Sequence, residues 1–359
     1  MTAQQSEIIF LKGNDPLAVL INKKATELFS TLQNFDASSL NIEDSFKDYF
    51  VNHHLGKRLF FSIQNSAHII YQSVKKTGKS IENICIVDYG AGLGTLYMLG
   101  GMLHFKRMVY NDYLPDWKNT AESICKALQI NIDGYVTGDI DAVLNYAVAN
   151  GFTFDIIASR NVIEHIYSLP FFYREIYKHN HDGVIFSTTS ANYHNPAMRL
   201  KHFLLHKKIE KEQYLPHRKK EIRNIWPGVS PAQLNELAIA TRGKAKEDFI
   251  IAVDNYKNNK PIEPVPFLRS NTCISITGYW CEHLLSKNEY GSIITNAGYT
   301  MDYTAGYWDT HYKSGIMNLL AKFLNLLVGL FGKRGYLFSP FVNVIAYNVN
   351  LPQSAKLLA

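Results

Sequence analysis

Residues 84–94, Ile-Cys-Ile-Val-Asp-Tyr-Gly-Ala-Gly-Leu-Gly, decide which fold this chain can adopt. The stretch opens with an apolar run, as does a strand that is buried on both faces of a parallel sheet. The run ends at Asp88, and three glycines follow at alternate positions up to Gly94. Glycines allow positive φ angles and let a ligand come close to the backbone. The pattern therefore predicts a strand that turns tightly into a helix near Thr95, with a polar ligand at the carboxyl end of the strand.

Two nucleotide-like ligands compete for such a turn. The dinucleotide fingerprint G-x-G-x-x-G has its third glycine where the new helix packs on the strand, and this chain has Thr95 there. A second predicted strand, Arg107–Asp112, ends in an acid that can accept both hydroxyls of a ribose, a device that NAD enzymes also use. Asp112 could instead cap the helix predicted over Trp117–Leu128. Asp112 thus supports an adenosine-containing ligand without showing whether that ligand is a dinucleotide.

Strand-like and helix-like segments alternate between residues 81 and 190. After the first two strands, the pattern predicts a strand with its loop at Gly134–Asp141 and strands at Phe154–Asn161 and Gly183–Thr189. Such alternation favours an α/β fold with a doubly wound, mainly parallel sheet. Ligands bind such sheets at the carboxyl ends of the strands.

Three stretches resemble one known family. The pattern D-x-G-x-G-x-G from Asp88 to Gly94 resembles the first motif of class I S-adenosylmethionine-dependent methyltransferases. Residues 162–166, Val-Ile-Glu-His-Ile, are similar to the end of the fourth strand in small-molecule members, which include quinone and sugar O-methyltransferases. The segments around Ala297-Gly298-Tyr299 and Gly306-Tyr307-Trp308 resemble the end of many methyltransferase domains.

This resemblance covers residues 81–190 and 275–350. It implies a seven-stranded, mainly parallel sheet with an antiparallel last strand, predicted at Phe341–Tyr347 beside Tyr299–Tyr303. That terminal pair separates the family from dinucleotide-binding folds. The resemblance also implies S-adenosyl-L-methionine as the cofactor.

The resemblance assigns roles to individual residues. It implies that the acid of the glycine turn lies near the methionine end of the cofactor and that Asp112 meets the ribose. Asp139 would meet the adenine amino group and Ile140 would pack on the ring, although a helix N-cap is the alternative for Asp139. The predicted cofactor-binding residues are Asp88, Tyr89, Gly90, Ala91, Gly92, Asn111, Asp112, Asp139, Ile140 and Asn161.

Glu164 and His165 are the predicted catalytic residues. The tip of the fourth strand would border the transferable methyl group, and a hydroxyl or amine acceptor can also need to lose a proton. Histidine exchanges protons near neutral pH, so His165 is the favoured base, with Glu164 orienting it or acting alone. His194, Tyr193 and His283 are alternative bases, and a packing role for His165 is the competing interpretation.

Length and composition predict the organisation of the chain. With 359 residues, 47% hydrophobic and 19% charged, it can bury a sizeable core as a globular protein. We predict a helical lead-in at residues 1–80, a cofactor-binding core at 81–190, a mainly helical insertion at 191–270 that shapes the substrate site, and the rest of the core at 271–359. Within the insertion, helices are predicted from Pro231 to Thr241 and from Ala245 to Tyr256, with further prolines up to Pro266.

Charge and cysteine content limit the kinds of partner that can be expected. A net charge of +6 with only short basic clusters does not indicate nucleic-acid binding. The pattern of the four cysteines predicts a reduced, cytoplasmic protein. Neither the cysteines nor the histidines of the lead-in have metal-type spacing, so no metal is expected. His53, His54 and His68 are expected to be surface or packing residues.

The most apolar stretch, residues 316–332, allows two interpretations. It could be a helix that touches a membrane or a lipid substrate, or a helix buried between the last two strands, which we favour. The acceptor is accordingly expected to be a small molecule, such as a sugar or another hydroxylated metabolite, and peripheral membrane contact is not expected. A lipid or quinone methyltransferase at the membrane surface, a non-catalytic binding module and an NAD-linked oxidoreductase are the alternatives.

Overall fold

The computed structural model describes residues 9–263, 272–276, 278 and 281–348. Its strands are β1 (Cys85–Asp88), β2 (Arg107–Asp112), β3 (Gly134–Thr137), β4 (Ile156–Arg160), β5 (Val184–Thr189), β6 (Thr272–Cys273), β7 (Cys281–Glu282), β8 (Thr300–Ala305) and β9 (Val342–Tyr347). Its α-helices are α1 (Pro16–Gln33), α2 (Asp44–Phe50), α3 (Leu59–Thr77), α4 (Leu96–Gly101), α5 (Pro115–Leu128), α6 (Ile140–Ala149), α7 (Leu169–His179), α8 (Pro196–Ile209), α9 (Leu215–Ile225), α10 (Pro231–Ala240), α11 (Lys246–Lys257), α12 (Lys287–Asn296) and α13 (Gly315–Leu330).

Seven of the strands form one sheet in the order β3-β2-β1-β4-β5-β9-β8. The first five are parallel to one another, whereas β9 is antiparallel to both β5 and β8. The predicted seven-stranded, mainly parallel sheet with an antiparallel last strand is confirmed. Because β1, β2, β4 and β5 run in the same direction, their carboxyl ends meet at one edge of the sheet. β6 and β7 form a separate two-stranded pair.

The central strand β1 is buried on both faces because helices cover the sheet from each side. Ile86 belongs to a core shared with α1, α3 and α4, while Val87 belongs to a core shared with α6, α7 and α12. Successive side chains of a strand point to opposite faces, so an uninterrupted apolar run fits this position. Each fully buried aliphatic side chain contributes about 1.5–3 kcal/mol relative to an exposed one. A charged substitution at Val87 would therefore leave an unpaired charge in the core.

The helical lead-in packs against the sheet through α3. This helix contacts α4, β4 and β5, and it ends at Gly78, whose φ of 68° is the predicted glycine stop. The hydroxyl of Thr95 lies 3.0 Å from that of Ser62 and 2.9 Å from that of Ser66, and all three residues are buried. Thr95, which stands where the dinucleotide fingerprint has its third glycine, is therefore bound to α3 through its hydroxyl group.

The described part of the insertion contains four α-helices. The two predicted ones are present as α10 and α11, and with α9 they share a small core of five buried residues: Ile222, Leu234, Leu237, Ala238 and Val253. Helices α8 and α9 were not predicted from the sequence. For α8 the reason is that its apolar residues do not lie on its buried face. Pro264 and Pro266 lie outside the described residues.

Helix α13 is exposed, so the favoured interpretation of a helix buried between the last two strands is wrong. Ala321 is its one buried residue. Its exposed side chains include Ile316 at 80%, Leu319 at 70% and Leu330 at 72%. Among the described residues, no helix has both the length and the hydropathy that a bilayer crossing requires.

Candidate active site

The glycine turn after β1 has the backbone geometry that its sequence predicts. Gly90 and Gly92 have φ angles of 65° and 53°. A Cβ on Gly90 would lie 2.7 Å from a methyl group of Val162, so only glycine fits. The Ala91 N–H donates to the carbonyl of Asn111 over 2.8 Å, which fixes the turn to the end of β2. Gly90, Ala91 and Gly92 all remain partly exposed, so a ligand can approach their backbone.

Asp88 lies beneath this turn and is 3% exposed. Its Oδ2 accepts a hydrogen bond of 3.0 Å from the Tyr97 N–H at the start of α4. Burial raises the pKa of Asp88 to about 8, although the same hydrogen bond and the neighbouring Arg160 guanidinium oppose the increase. The carboxyl group thus holds the turn against α4. Tyr89, the next residue, points into the core with its ring 5.2 Å from that of Phe172.

Asp112 connects the end of β2 to the glycine turn. Its Oδ2 accepts the Gly92 N–H over 3.0 Å, and its Oδ1 accepts the Leu114 N–H over 3.1 Å. Leu114, not Asp112, is the N-cap residue of α5. Burial raises the pKa of Asp112, against these backbone hydrogen bonds. A carboxylate oxygen can accept two hydrogen bonds, so each oxygen can still accept one from a ligand hydroxyl.

Asn111 and Asp139 complete the part of the site formed by β2 and β3. The buried Asn111 donates from Nδ2 to the carbonyls of Val136 and Gly138, over 3.2 and 3.0 Å, and so holds the end of β3. Asp139 is exposed and caps α6, with the Ala142 N–H 3.4 Å from its Oδ1, as the competing interpretation expected. Ile140 is 3% exposed within the core. Contact of Asp139 and Ile140 with adenine stays a prediction.

The tip of β4 carries a buried cation that the sequence analysis missed. Nη1 of Arg160 donates to the carbonyl and hydroxyl oxygens of Ser62, over 3.2 and 2.8 Å. Burial lowers the pKa of Arg160, while Tyr307 and Asp88 oppose the decrease. The signal in the sequence is an arginine that ends an otherwise apolar strand. Asn161 follows with φ of 54°, and its Oδ1 accepts the Ser190 N–H over 3.0 Å.

Glu164 and His165 lie just beyond this tip and are braced by β7. Glu164 is 2% exposed, and its Oε2 has no hydrogen-bond partner in the described part of the chain. Burial raises the pKa of Glu164. His165 Nδ1 lies 2.6 Å from the carbonyl oxygen of Cys281, so it donates there, and a neutral ring then carries its lone pair on Nε2. The His283 N–H donates to the Glu164 carbonyl over 2.8 Å.

The alternative bases are bound to backbone groups. His194 Nε2 accepts the Lys287 N–H over 2.9 Å, and burial lowers the pKa of His194. His283 Nε2 donates to the Ile166 carbonyl over 2.8 Å, and burial lowers the pKa of His283 as well. His165, His194 and His283 thus each have one ring nitrogen bound to a backbone group, so these contacts do not choose among them, and the role of His165 stays a prediction.

The segment Asp44–Leu55 of the lead-in lies beside the glycine turn. Tyr49 packs edge-on against Trp117, with ring centroids 4.9 Å apart, and Trp117 comes within 4.0 Å of where a Cβ on Gly92 would lie. Burial raises the pKa of Tyr49. The charge of Arg160 lowers this pKa, and the charge of Asp112 raises it. Tyr49 therefore lies near both the turn and the tip of β4.

His54, in the same segment, is half-buried, and its buried ring nitrogens lack hydrogen-bond partners within the described ranges. Burial, together with the charges of Arg160 and His53, lowers the pKa of His54 to about 3. Buried polar atoms are nearly always hydrogen-bonded in native proteins, so an imidazole left unpaired beside the turn fits a place where a ligand supplies the partner.

No protein-family model and no curated protein matches the chain. Similar solved structures include an S-adenosylmethionine-dependent methyltransferase from Clostridium acetobutylicum, at 8% identity over 85% of this chain and 98% of that one, with a TM-score of 0.42. A putative sarcosine dimethylglycine methyltransferase from Galdieria sulphuraria is similar at 11% identity over 91% and 98%, with a TM-score of 0.40. For a putative methyltransferase from Streptococcus mutans, at 14% identity and a TM-score of 0.28, the similarity covers 36% of this chain and 37% of that one.

Similarities at this level decide neither the cofactor nor the acceptor, and the class of fold rests on the strand order of the chain itself. A dinucleotide-binding sheet has the order 3-2-1-4-5-6. Here an antiparallel strand, β9, lies between β5 and the edge strand β8. The sheet therefore has the strand arrangement that the resemblance to class I S-adenosylmethionine-dependent methyltransferases implied.

Proposed function

We propose that the chain transfers a methyl group from S-adenosylmethionine to a small molecule, at a hydroxyl oxygen of a sugar or of another hydroxylated metabolite. The observation that supports this most strongly is the hydrogen bond between the Gly92 N–H and Asp112. It places a positive-φ glycine turn and a carboxylate side by side at the carboxyl edge of a parallel sheet. Ligands of open α/β sheets bind at this edge.

The residues at this edge fit an adenosyl ligand. Asp112 has the free acceptor positions that two ribose hydroxyls need. Arg160 and His54 lie close enough for the Arg160 charge to lower the pKa of His54, and a cation with an imidazole beside it suits the carboxylate of a methionine group. When bound, the cofactor supplies a methyl group on a cationic sulfur that leaves readily.

His165 is the proposed general base. Its Nδ1–H is held by the Cys281 carbonyl, so Nε2 of the neutral ring can accept a proton from an acceptor hydroxyl. Glu164, buried next to it, lowers the cost of the resulting imidazolium when its carboxyl is ionised. The pair therefore has the groups that proton removal requires.

Calorimetry with S-adenosylhomocysteine tests the cofactor assignment. We expect the wild-type chain to bind it and Asp112→Ala to bind at least about 10-fold more weakly, because a hydrogen bond to a charged group contributes about 1.5–3 kcal/mol. Asp116→Ala is the matched control, since Asp116 is an exposed acid on the neighbouring α5. Absence of binding by the wild-type chain, or equal affinities for the two variants, would contradict the proposal.

A second candidate function, methylation of a lipid or quinone at a membrane surface, is favoured by α13. Its exposed apolar side chains include Leu319, Phe323 and Leu326. Lys333 and Arg334 follow the helix directly. An apolar helix face flanked by basic residues suits insertion between the headgroups of anionic lipids.

Co-sedimentation with vesicles that contain an anionic phospholipid tests this candidate. The variant Phe323→Lys/Leu326→Lys should lose most of the vesicle-bound fraction, because two charges would enter the apolar layer. Asn119→Lys is the control, since it adds charge at an exposed position on α5. Sedimentation that is unchanged by the double substitution would exclude α13 as the contact.

A further inference from the structure

Helix α8 has an unusual distribution of side chains. Its buried residues are His202, at 6% exposure, and His206, at 0%. Leu200, Phe203 and Leu204 on the same helix are 58%, 51% and 56% exposed. Burying polar rings in place of available leucines is unfavourable unless those rings make compensating interactions. The two histidines are therefore the groups of α8 whose burial needs an explanation.

Both histidines converge on Glu282 in β7. Nδ1 of His202 lies 3.1 Å from Oε1, and Nε2 of His206 lies 2.8 Å from Oε2. One nitrogen of each histidine and one carboxylate oxygen lie within 4.8 Å of one another. We propose that His202, His206 and Glu282 bind a divalent transition-metal ion of the Zn²⁺ type.

The second nitrogen of His202 indicates which tautomer is present. Nε2 lies 3.2 Å from the carbonyl oxygen of Ser190, which can only accept, so Nε2 carries the hydrogen. In the neutral ring, Nδ1 then presents its lone pair towards Glu282. Histidines that bind metals almost always donate their other N–H to a carbonyl or a carboxylate in this way.

His206 is close to the carboxylate without a hydrogen bond to it. Neither of its nitrogens has a hydrogen-bond partner among the residues that the structure describes, although Nε2 and Oε2 are 2.8 Å apart. Two ligand atoms that each lie about 2.0–2.2 Å from one tetrahedral ion are separated by roughly 3.3–3.6 Å. The N–O distances of 3.1 and 2.8 Å in this cluster are a few tenths of an ångström shorter, so small movements of the side chains would admit an ion.

The donor set of the cluster indicates which kind of cation it would hold. Two imidazoles with one carboxylate suit Zn²⁺, Co²⁺ or Fe²⁺, whereas Mg²⁺ and Ca²⁺ prefer oxygen ligands throughout.

The location of the cluster connects it to the proposed acceptor site. Glu282 lies between Cys281, whose carbonyl holds His165, and His283, whose N–H holds the Glu164 carbonyl. Three protein ligands leave at least one coordination position open for water or for an oxygen of a substrate. This connection to the acceptor depends on the proposed function, whereas metal binding itself does not.

Metal binding by the full-length chain tests the inference. After treatment with a chelator and dialysis against Zn²⁺, elemental analysis should give one Zn²⁺ per chain, and Co²⁺ should produce a visible ligand-field absorption. His206→Gln and Glu282→Gln should each weaken Zn²⁺ binding at least about 100-fold, because loss of an outer-shell partner alone costs 10–100-fold. His217→Gln, on an exposed histidine of α9, should bind as the wild type does.

The result that would overturn the inference is a wild-type chain that retains no stoichiometric Zn²⁺, or equal affinity in His206→Gln, Glu282→Gln and His217→Gln. Circular dichroism and S-adenosylhomocysteine binding check that the variants are folded. Because metal content is measured without any methyl transfer, a failure of the metal site and a failure of the methyltransferase proposal give different results.

Discussion

The two sides of the candidate active site are assembled over very different distances along the chain. On the side formed by β1 and β2, the Gly92 N–H and Asp112 are 20 positions apart. On the side formed by β4, β5 and β7, His202 and Glu282 are 80 positions apart, and His165 and Cys281 are 116 apart. The first side is made by one βαβ unit, so its motif can be recognised in a continuous stretch of sequence. The second side exists only after the insertion has packed.

The two sides also differ in the groups that they use. Backbone N–H groups and glycine conformations shape the first side, and few side chains could replace them. Buried side chains shape the second side, among them Glu164, His202 and His206. Substitutions should accordingly affect binding and stability on the first side, and chemistry on the second.

The largest expected effect is on the second side. His165→Gln should lower the rate of methyl transfer about 10²–10⁴-fold, the usual contribution of a positioned base, and should leave S-adenosylhomocysteine affinity unchanged. The measurement is transfer of labelled methyl from S-adenosylmethionine into an acceptor mixture on which the wild-type chain is active. His181→Gln, an exposed histidine, is the control. A wild-type rate in His165→Gln would remove the base from the proposal.

A smaller effect is expected on the first side. Gly90→Ala should lower the free energy of unfolding by about 2–5 kcal/mol, since a left-handed residue with a Cβ costs about 1–2 kcal/mol and overpacking adds about 1–3 kcal/mol. Gly329→Ala in α13, where a Cβ meets nothing within 4 Å, should instead gain about 0.5–1 kcal/mol. Urea unfolding of both variants measures the difference. Equal stability of Gly90→Ala and the wild type would show that the turn is less constrained than its geometry indicates.

The last expected effect depends on pH and concerns Asp88. Because burial raises its pKa to about 8, the folded chain keeps the proton that the unfolded chain releases near pH 4. The stability that protonated Asp88 provides is complete below about pH 4 and is lost as the pH rises through about 8. Asp88→Asn removes this dependence, so its melting temperature relative to the wild type should rise by about 5 °C between pH 5 and pH 9. Asp116→Asn is the exposed control. A difference that stays constant with pH would contradict the raised pKa.

The same contrast explains what the sequence could predict. The run from Ile84 to Gly94 specifies the turn through local conformational preferences, so the strand β1 and the turn followed from it, whereas the antiparallel last strand was implied by the resemblance to methyltransferases. The exposure of α13 could not be read from its apolar residues, since burial depends on what packs against a helix. His202 and His206 are spaced four apart, as one helix face requires, but Glu282 is brought to them only by tertiary structure.

The hydroxyl contacts of Thr95 with Ser62 and Ser66 have a consequence for protein engineering. Redesigning the turn towards nicotinamide cofactors would begin with Thr95→Gly, and that change would remove one hydrogen-bond partner from each of the two buried serine hydroxyls. If residues 81–190 were grafted into another scaffold, the hydroxyl of Thr95 would lose its contacts with Ser62 and Ser66. Cofactor exchange and domain grafting in this chain must therefore carry helix α3 along with the turn.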